Sequence, residues 1–163
     1  MVITEKEIWH YLEDVPDPEI PVISVLDLGV VRNVEITDDE KVNVTITPTY
    51  SGCPAMSAIS ISIRKKLIQQ GLRNINIINQ LSPSWTTDWM TEEGKQKMKA
   101  YGIAPPTKNA SSDDLFSDEQ NIECPQCSSK NTRLISQFGS TACKAMYQCN
   151  DCHEPFDYFK CHH

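Results

Sequence analysis

Seven cysteines are the residues best able to do chemistry in this sequence of 163 residues, and they are unevenly spaced. Cys53 stands alone in the first part, and the other six fall between Cys124 and Cys161. Cys124-Pro-Gln-Cys127 and Cys149-Asn-Asp-Cys152 are two C-x2-C pairs with 21 residues between them. Two residues between cysteines let a tight turn aim both thiolates at one ion, and two such turns complete a tetrahedral four-sulfur site. The gap is one residue beyond the usual range for this pattern, which a longer hairpin absorbs. Zinc is the expected ion, with iron in a rubredoxin-like site as the competitor. Two redox thiol pairs are the alternative use of the same residues. A segment of about forty residues has too small a core to fold easily alone, so metal binding would supply much of its folding energy. A closed four-thiolate site is scaffolding and not catalysis. Cys143 reads more readily as a small buried hydrophobe than as a ligand. Cys161-His162-His163 reads as a second soft metal site, an alternative zinc ligand set or a frayed chain end.

Cys53 lies in Thr49-Tyr-Ser-Gly-Cys-Pro54, between an expected strand and an expected helix. The start of a helix offers backbone N–H groups without intrahelical partners and a positive dipole end, which favour a thiolate. Gly52 allows a sharp turn and close backbone approach, and Pro54 suits the first helical position. A reactive or metal-ligating thiolate and a cysteine that merely caps the helix stand as equal readings. The loop Asp17-Pro-Glu-Ile-Pro21 sets two carboxylates, Asp17 and Glu19, on a stiff extended backbone, which alone reads as a solvated turn. His10 is the one histidine before residue 153, on the expected solvent face of a helix, so no Ser/His/Asp set supports a hydrolase.

These residues need elements to hold them. Thr4 with Glu7 forms a capping box, and Ile8, Leu12 and Val15 follow at helical spacing until Pro16, Pro18 and Pro21 stop the run. Val34 and Ile36, then Val42, Val44 and Ile46, alternate with polar neighbours around Asp38-Asp-Glu40, an antiparallel hairpin. Met56, Ile59, Ile63 and Leu67 make the buried stripe of a helix closed by Gly71. Residues 75–81 read as a third strand and 90–101 as a short helix. Trp85 and Trp89 are expected to pack against the sheet. The order predicts an α+β fold, a small mixed or antiparallel sheet with helices on one face. A zinc-ribbon β domain follows, with strands at 132–138 and 144–148. The expected division is residues 1–103, a polar, acidic, proline-capped linker at 104–122, and 123–163.

Composition narrows the classes further. Fifteen Lys and Arg against 22 Asp and Glu give a formal charge of −7, and neither part of the chain is basic, which argues against nucleic acid as a partner. No apolar run approaches the length of a membrane span and no signal-peptide pattern opens the sequence, so a cytoplasmic, membrane-free protein is expected. Cysteines in that setting point to metal or thiol chemistry.

Asp17-Pro-Glu-Ile-Pro21, Ser24-Val-Leu-Asp-Leu-Gly-Val-Val31 and Thr47-Pro-Thr-Tyr-Ser-Gly-Cys-Pro-Ala-Met56 together resemble the SufT-like Fe–S maturation domain family, over about residues 3–81. Ser84-Trp-Thr-Thr-Asp-Trp89, Gly102-Ile-Ala-Pro-Pro106, Phe138-Gly-Ser-Thr-Ala-Cys-Lys-Ala145 and the tail Pro155-Phe-Asp-Tyr-Phe-Lys-Cys161 extend the resemblance to the PaaD (PaaJ) family over nearly the whole chain. That resemblance implies an accessory protein of the phenylacetyl-CoA 1,2-epoxidase system in phenylacetate degradation, itself no oxygenase. Its implied partners are the oxygenase and reductase subunits, with a homodimer as a further candidate. It also implies that Cys53 binds a labile Fe–S cluster, shared with a second chain because one cysteine cannot fill a four-ligand cluster. Asp17 and Glu19 would lie near it, and Cys143 and Cys161 match motif positions. A permanent structural subunit of the oxygenase is the competing expectation.

Overall fold

A computed structural model describes residues 2–50, 52–106 and 122–160. The chain folds into two compact units, Met1–Trp85 with Trp89–Gly94, and Thr86–Asp88 with Lys95–His163.

The first unit begins with helix α1, Glu5–Leu12. The capping box is formed as expected: the Glu7 N–H donates to Thr4 Oγ1 at 3.3 Å, and the Thr4 N–H donates to the Glu7 carboxylate at 2.8 Å. Ile8 and Leu12 are fully buried. Strands β1 (Val31–Ile36) and β2 (Val42–Ile46) make the antiparallel hairpin, with a bulge between Val31 and Asn33. Val42, Val44 and Ile46 point into the core, and Asn43 and Thr45 point out. Helix α2 (Ala55–Gln69) buries Ile59, Ile63 and Leu67, while Met56 is only half-buried. Strand β3 (Ile75–Asn79) then pairs parallel to β2, so the sheet order is β1-β2-β3, a mixed sheet. A parallel return needs a crossover, and α2 supplies it.

Loops between α1 and β1 are held by side chains. Ser24 and Asp27 exchange backbone-to-side-chain hydrogen bonds at 3.1 Å each. Trp85 is buried and donates its indole N–H to the Leu28 carbonyl at 2.8 Å. Trp89 is half-buried, with the Arg32 guanidinium 3.6 Å from its ring centroid. Helix α3 runs Glu92–Tyr101, two residues later than its pattern suggested. The cause is Thr91, whose hydroxyl accepts the Gly94 N–H at 2.9 Å and so caps the helix there. A single 3-10 turn, Thr87–Trp89, fills the stretch before it.

The second unit holds a four-stranded sheet in the order β4-β7-β6-β5: Ile103–Ala104, Pro155–Phe159, Lys144–Cys149 and Thr132–Ser136. Two of these strands, β4 and β7, went unread in the sequence. The two-residue β4 has no periodicity, and it pairs parallel with β7, so Ile103 and Ala104 belong to the ribbon sheet and not to a linker or the first sheet. Ala104, Ile122, Cys124, Ala145, Tyr147, Cys149, Phe156 and Tyr158 form the core. The Tyr147 ring stacks on Phe156 and meets Tyr158 edge-on. Residues 107–121, most of the expected linker, lie outside the described residues, as do Cys161, His162 and His163. Among the described residues no helix is long and apolar enough to cross a membrane.

Candidate functional site

Two groups of residues could do chemistry, one in each unit. In the first, β2 ends at Ile46, and the chain runs through Thr47–Tyr50 to Cys53 at the mouth of α2. Thr47 is buried, and its hydroxyl has no hydrogen-bond partner among the described residues. Gly52 has φ +76°, the left-handed region that glycine enters without strain, and a Cβ there would meet open space. The glycine therefore serves the turn and not a close backbone approach. Cys53 is half-buried, its N–H donates to the Tyr50 carbonyl at 3.2 Å, and its carbonyl accepts the Met56 N–H at 3.3 Å. Pro54 is the N-cap residue, so it stands just before the helix and not at the first helical position expected for it, and no side chain caps the helix. Cys53 therefore does not act as the side-chain cap. No acidic residue occupies the first turn of α2, so the positive end of its dipole is not neutralised there.

Asp17 is buried, contrary to the reading of its loop as a solvated turn. One carboxylate oxygen accepts the Glu19 and Ile20 N–H groups at 2.8 Å each, and the Asp17 N–H donates to the Ile23 carbonyl at 2.9 Å. Asp17 thus builds its own loop. Glu19 is half-buried beside it. Cys53, Asp17 and Glu19 do not form a group whose ligand atoms all come within 4.8 Å. Among the described residues one such group exists: Cys124, Cys127, Cys149 and Cys152.

The two knuckles that carry those cysteines share a backbone hydrogen bond and a left-handed residue. The Cys124 N–H donates to the Ser129 carbonyl at 2.8 Å, and the Cys149 N–H donates to the Glu154 carbonyl at 3.0 Å, both five residues on. The residue after each second cysteine, Ser128 and His153, has a positive φ of 63° and 64°. Neither turn uses glycine, so sequence signals for a left-handed residue were missing at both. Asp151 ties the knuckles together, accepting hydrogen bonds from the Ser129 hydroxyl and from Asn131 at 3.0 Å. These bonds, Ser129 first, hold its carboxyl below the usual carboxylate range.

The sulfur spacing fits a metal. Cys124 and Cys152 sulfurs are 3.7 Å apart, and those of Cys127 and Cys149 are 3.5 Å apart. A tetrahedron with Zn–S bonds of about 2.3 Å has sulfur–sulfur edges of about 3.8 Å, whereas a disulfide would need about 2.05 Å. The protonation of two of the thiols points the same way. The Cys152 N–H, with burial opposing it and the Asp151 N–H adding to it, draws the Cys149 thiol down to about 7. The Glu154 N–H favours the Cys152 thiolate, yet burial and the neighbouring sulfurs push that thiol up to about 12. Four sulfurs this close do not all ionise unless a cation holds them together. Cys143, in the same unit, is buried with its sulfur 3.0 Å from the Thr141 hydroxyl and outside the four-sulfur group.

Comparison with known proteins places both units. Residues 108–160 match the PaaD zinc beta ribbon domain, and residues 5–75 match the family described as iron-sulfur cluster assembly protein. A curated protein of Escherichia coli (strain K12), named as a subunit of a "Putative 1,2-phenylacetyl-CoA epoxidase", is 48% identical over 155 residues, covering 95% of this chain and 92% of its own length. The chain belongs to the PaaD family. Its first unit also has relatives of its own. An "Fe-S protein maturation auxiliary factor" of Porphyromonas gingivalis is 41% identical over 91 residues, 55% of this chain and 86% of that one. The crystal structure of a DUF59 domain from Bacillus anthracis superposes with a TM-score of 0.54 at 26% identity, covering 58% of this chain and 90% of that chain. The PaaD architecture is thus an iron–sulfur assembly domain joined to a zinc-ribbon domain.

Proposed function

We propose that this chain is the accessory, maturation subunit of a phenylacetyl-CoA 1,2-epoxidase system, a non-catalytic protein that delivers or assembles an Fe–S cluster or iron site in the oxygenase or reductase chains. The name of the Escherichia coli relative supports the system, and the name of the Porphyromonas gingivalis maturation factor supports the task. The observation that carries the reading is Cys53, a half-buried thiol at the uncapped, acid-free start of α2. Such a thiol is partly exposed to cargo and stands just before the first turn of a helix, and cysteine sulfur is the ligand that holds Fe–S clusters. Asp17 or Glu19 would orient or complete the site, and Cys143 and Cys161 are secondary candidates as ligands. One cysteine leaves a cluster short of ligands, so the cargo is shared with a second chain, either another copy or the recipient. The protein works in the cytoplasm, where thiols stay reduced.

Cys124, Cys127, Cys149 and Cys152 would hold structural zinc in the ribbon, which would join the two knuckles into one folded unit. Its own residues supply four sulfurs, the backbone donors to them and the Asp151 tie.

Anaerobic reconstitution with iron and sulfide, followed by absorption and Mössbauer spectra, tests the reading. Wild-type protein is expected to take up iron and sulfide beyond one zinc, and Cys53→Ser to lose that uptake while keeping the zinc. A Cys53→Ser variant that loads normally and restores epoxidase activity in a deletion strain would sink the carrier role. The relative's designation as a subunit favours a second reading, a permanent structural component. Gel filtration of the co-expressed set separates the two, since a carrier elutes apart from the oxygenase and a fixed subunit elutes with it.

A further inference from the structure

The sheet of the first unit has two edges, and they are treated differently. Along β1 the bulge at Val31/Asn33 breaks the register, and the Glu5 carboxylate accepts the Ile36 N–H at 3.2 Å. Arg32 and Glu35 add charge to the same strand. Bulges and charges of this kind stop a foreign strand from pairing. β3 has neither. From Asn74 to Leu81 the chain reads Asn-Ile-Asn-Ile-Ile-Asn-Gln-Leu, without a charge or a proline.

The hydrogen bonds fix which backbone groups line that second edge. Val42 donates its N–H to the Asn74 carbonyl, and Gln80 donates its N–H to the Ile46 carbonyl, each at 2.8 Å. The N–H and C=O of one strand residue point to the same side, and successive residues alternate. Asn74, Asn76, Ile78 and Gln80 therefore turn their backbone groups to β2, and Ile75, Ile77 and Asn79 turn theirs outward. Arg64 agrees with this parity, because its guanidinium donates to the Ile75 carbonyl at 2.9 Å. That contact closes the first position of the edge. The N–H and C=O of Ile77 and Asn79 follow, and among the described residues no strand lies beyond β3.

The surroundings have a definite chemistry. Arg64 anchors one flank of α2 to this edge, and that flank carries exposed Ile61, Lys65 and Ile68 at helical spacing. Ile78 and Leu81 are exposed on the strand and just past it. In a chain of net charge −7, α2 contains Arg64, Lys65 and Lys66 and no acid. Lys66 is engaged by Asp14 at 2.8 Å, whereas Arg64 reaches the Ile75 carbonyl of β3 and Lys65 beside it is exposed.

We propose that the outer edge of β3 takes up an extended segment of a partner polypeptide as a fourth strand, and that the segment is acidic, alternating apolar residues with Asp or Glu. Backbone bonds to Ile77 and Asn79 would give affinity, and an alternating segment would set its apolar side chains beside Ile78 on one face of the sheet and its carboxylates toward Arg64 and Lys65 on the other, which would give selectivity. A second copy of the chain would bring another Arg64 and Lys65 to a patch that already holds this pair, so charge favours the acidic guest. Strand uptake at this edge does not depend on what Cys53 carries.

A fluorescent synthetic octapeptide alternating Glu with Val and Ile tests it against the full chain, beside a counterpart with Lys for every Glu. The acidic peptide is expected to bind at least tenfold more tightly and to slow amide exchange at Ile77 and Asn79. Asn79→Pro removes one outward N–H at an exposed position and leaves the bonds to β2, so the strand keeps its place. It should weaken the acidic peptide at least tenfold, with the amides of β2 as protected as before. Arg64→Glu leaves the outward N–H groups and should reverse the preference between the two peptides. Equal affinity for both peptides, no binding, or unchanged exchange at Ile77 and Asn79 at saturation would overturn the proposal. So would a concentration-dependent dimer in sedimentation with those two amides protected, which would make the second copy the occupant.

Discussion

Asp17 shows that a residue's role depends on how the chain closes around it. Pro-flanked and polar, it has the signature of a solvated turn, yet closure of the Pro16–Ser24 loop accompanies its burial, and its carboxylate takes two backbone N–H groups. Hydrogen bonds to a charged group contribute about 1.5–3 kcal/mol each. Asp17→Ala should therefore destabilise the first unit by about 3–6 kcal/mol in urea unfolding, while Asp17→Asn, which keeps an acceptor oxygen, should cost less than half of that. If Asp17→Asn is well folded and still fails to load iron, Asp17 is a ligand as well as a loop builder. Normal loading would confine it to the loop. Gly29 makes the same point in steric terms. It has φ +76°, and an added Cβ would run into the Trp89 carbonyl oxygen and lie 2.8 Å from the Trp89 Cβ. Left-handed backbone costs an alanine about 1–2 kcal/mol and overpacking about 1–3 kcal/mol. Gly29→Ala is expected to lose about 2–5 kcal/mol in the same measurement. A loss under 1 kcal/mol would mean that the Trp89 segment moves aside freely.

At the scale of elements, what the sequence makes legible is what each segment decides alone. The Thr4–Glu7 capping box, the Ile59-Ile63-Leu67 stripe and the Val42-Val44-Ile46 alternation all rest on neighbours within a few residues, and each forms. The capping box also carries a pH signature. Hydrogen bonds from Thr4, backbone first and hydroxyl second, hold the Glu7 carboxyl below its ordinary value of 4.5. A carboxylate with a lowered folded-state value stabilises fully above its unfolded value, and that contribution is lost as pH falls through the folded one. Glu7→Ala should therefore speed amide exchange in α1 near neutral pH, and the gap from wild type should close below pH 4.5. A gap that persists unchanged into acid would mean the carboxylate is not what holds the helix start. Pairings between distant segments were not legible. β4 is too short for any period, and the parallel placement of β3 depends on the α2 crossover. The positive φ values of Ser128 and His153 carry no glycine to announce them. The four metal-type cysteines were readable from spacing because two local turns suffice. The relation of Cys53 to Asp17 and Glu19 was not, since it is set by tertiary folding, and the three do not close into one ligand set.

For the whole molecule, the two units reach stability by different means, and metal removal should distinguish them. The first has an aliphatic core drawn from both helices and all three strands, including Ile8, Leu12, Val44, Ile46, Ile63 and Leu67. The second relies on a small aromatic cluster and four sulfurs crowded together, two of which, Cys124 and Cys149, belong to that core. Structural zinc in such domains contributes an apparent free energy of about 10–16 kcal/mol, as large as the whole stability of a typical domain, so the ribbon without metal should not hold its fold. Chelation should then unfold the second unit alone. Protection of the β6 and β7 amides against exchange would vanish, while β2 and α2 keep theirs, and added zinc would restore the former with a midpoint that rises with its free concentration. Cys149→Ser should give the chelated pattern without chelator. Loss of protection in β2 along with β6 would mean that the first unit depends on the ribbon for its fold, and survival of β6 without metal would mean that the aromatic core suffices and the four sulfurs serve something other than folding.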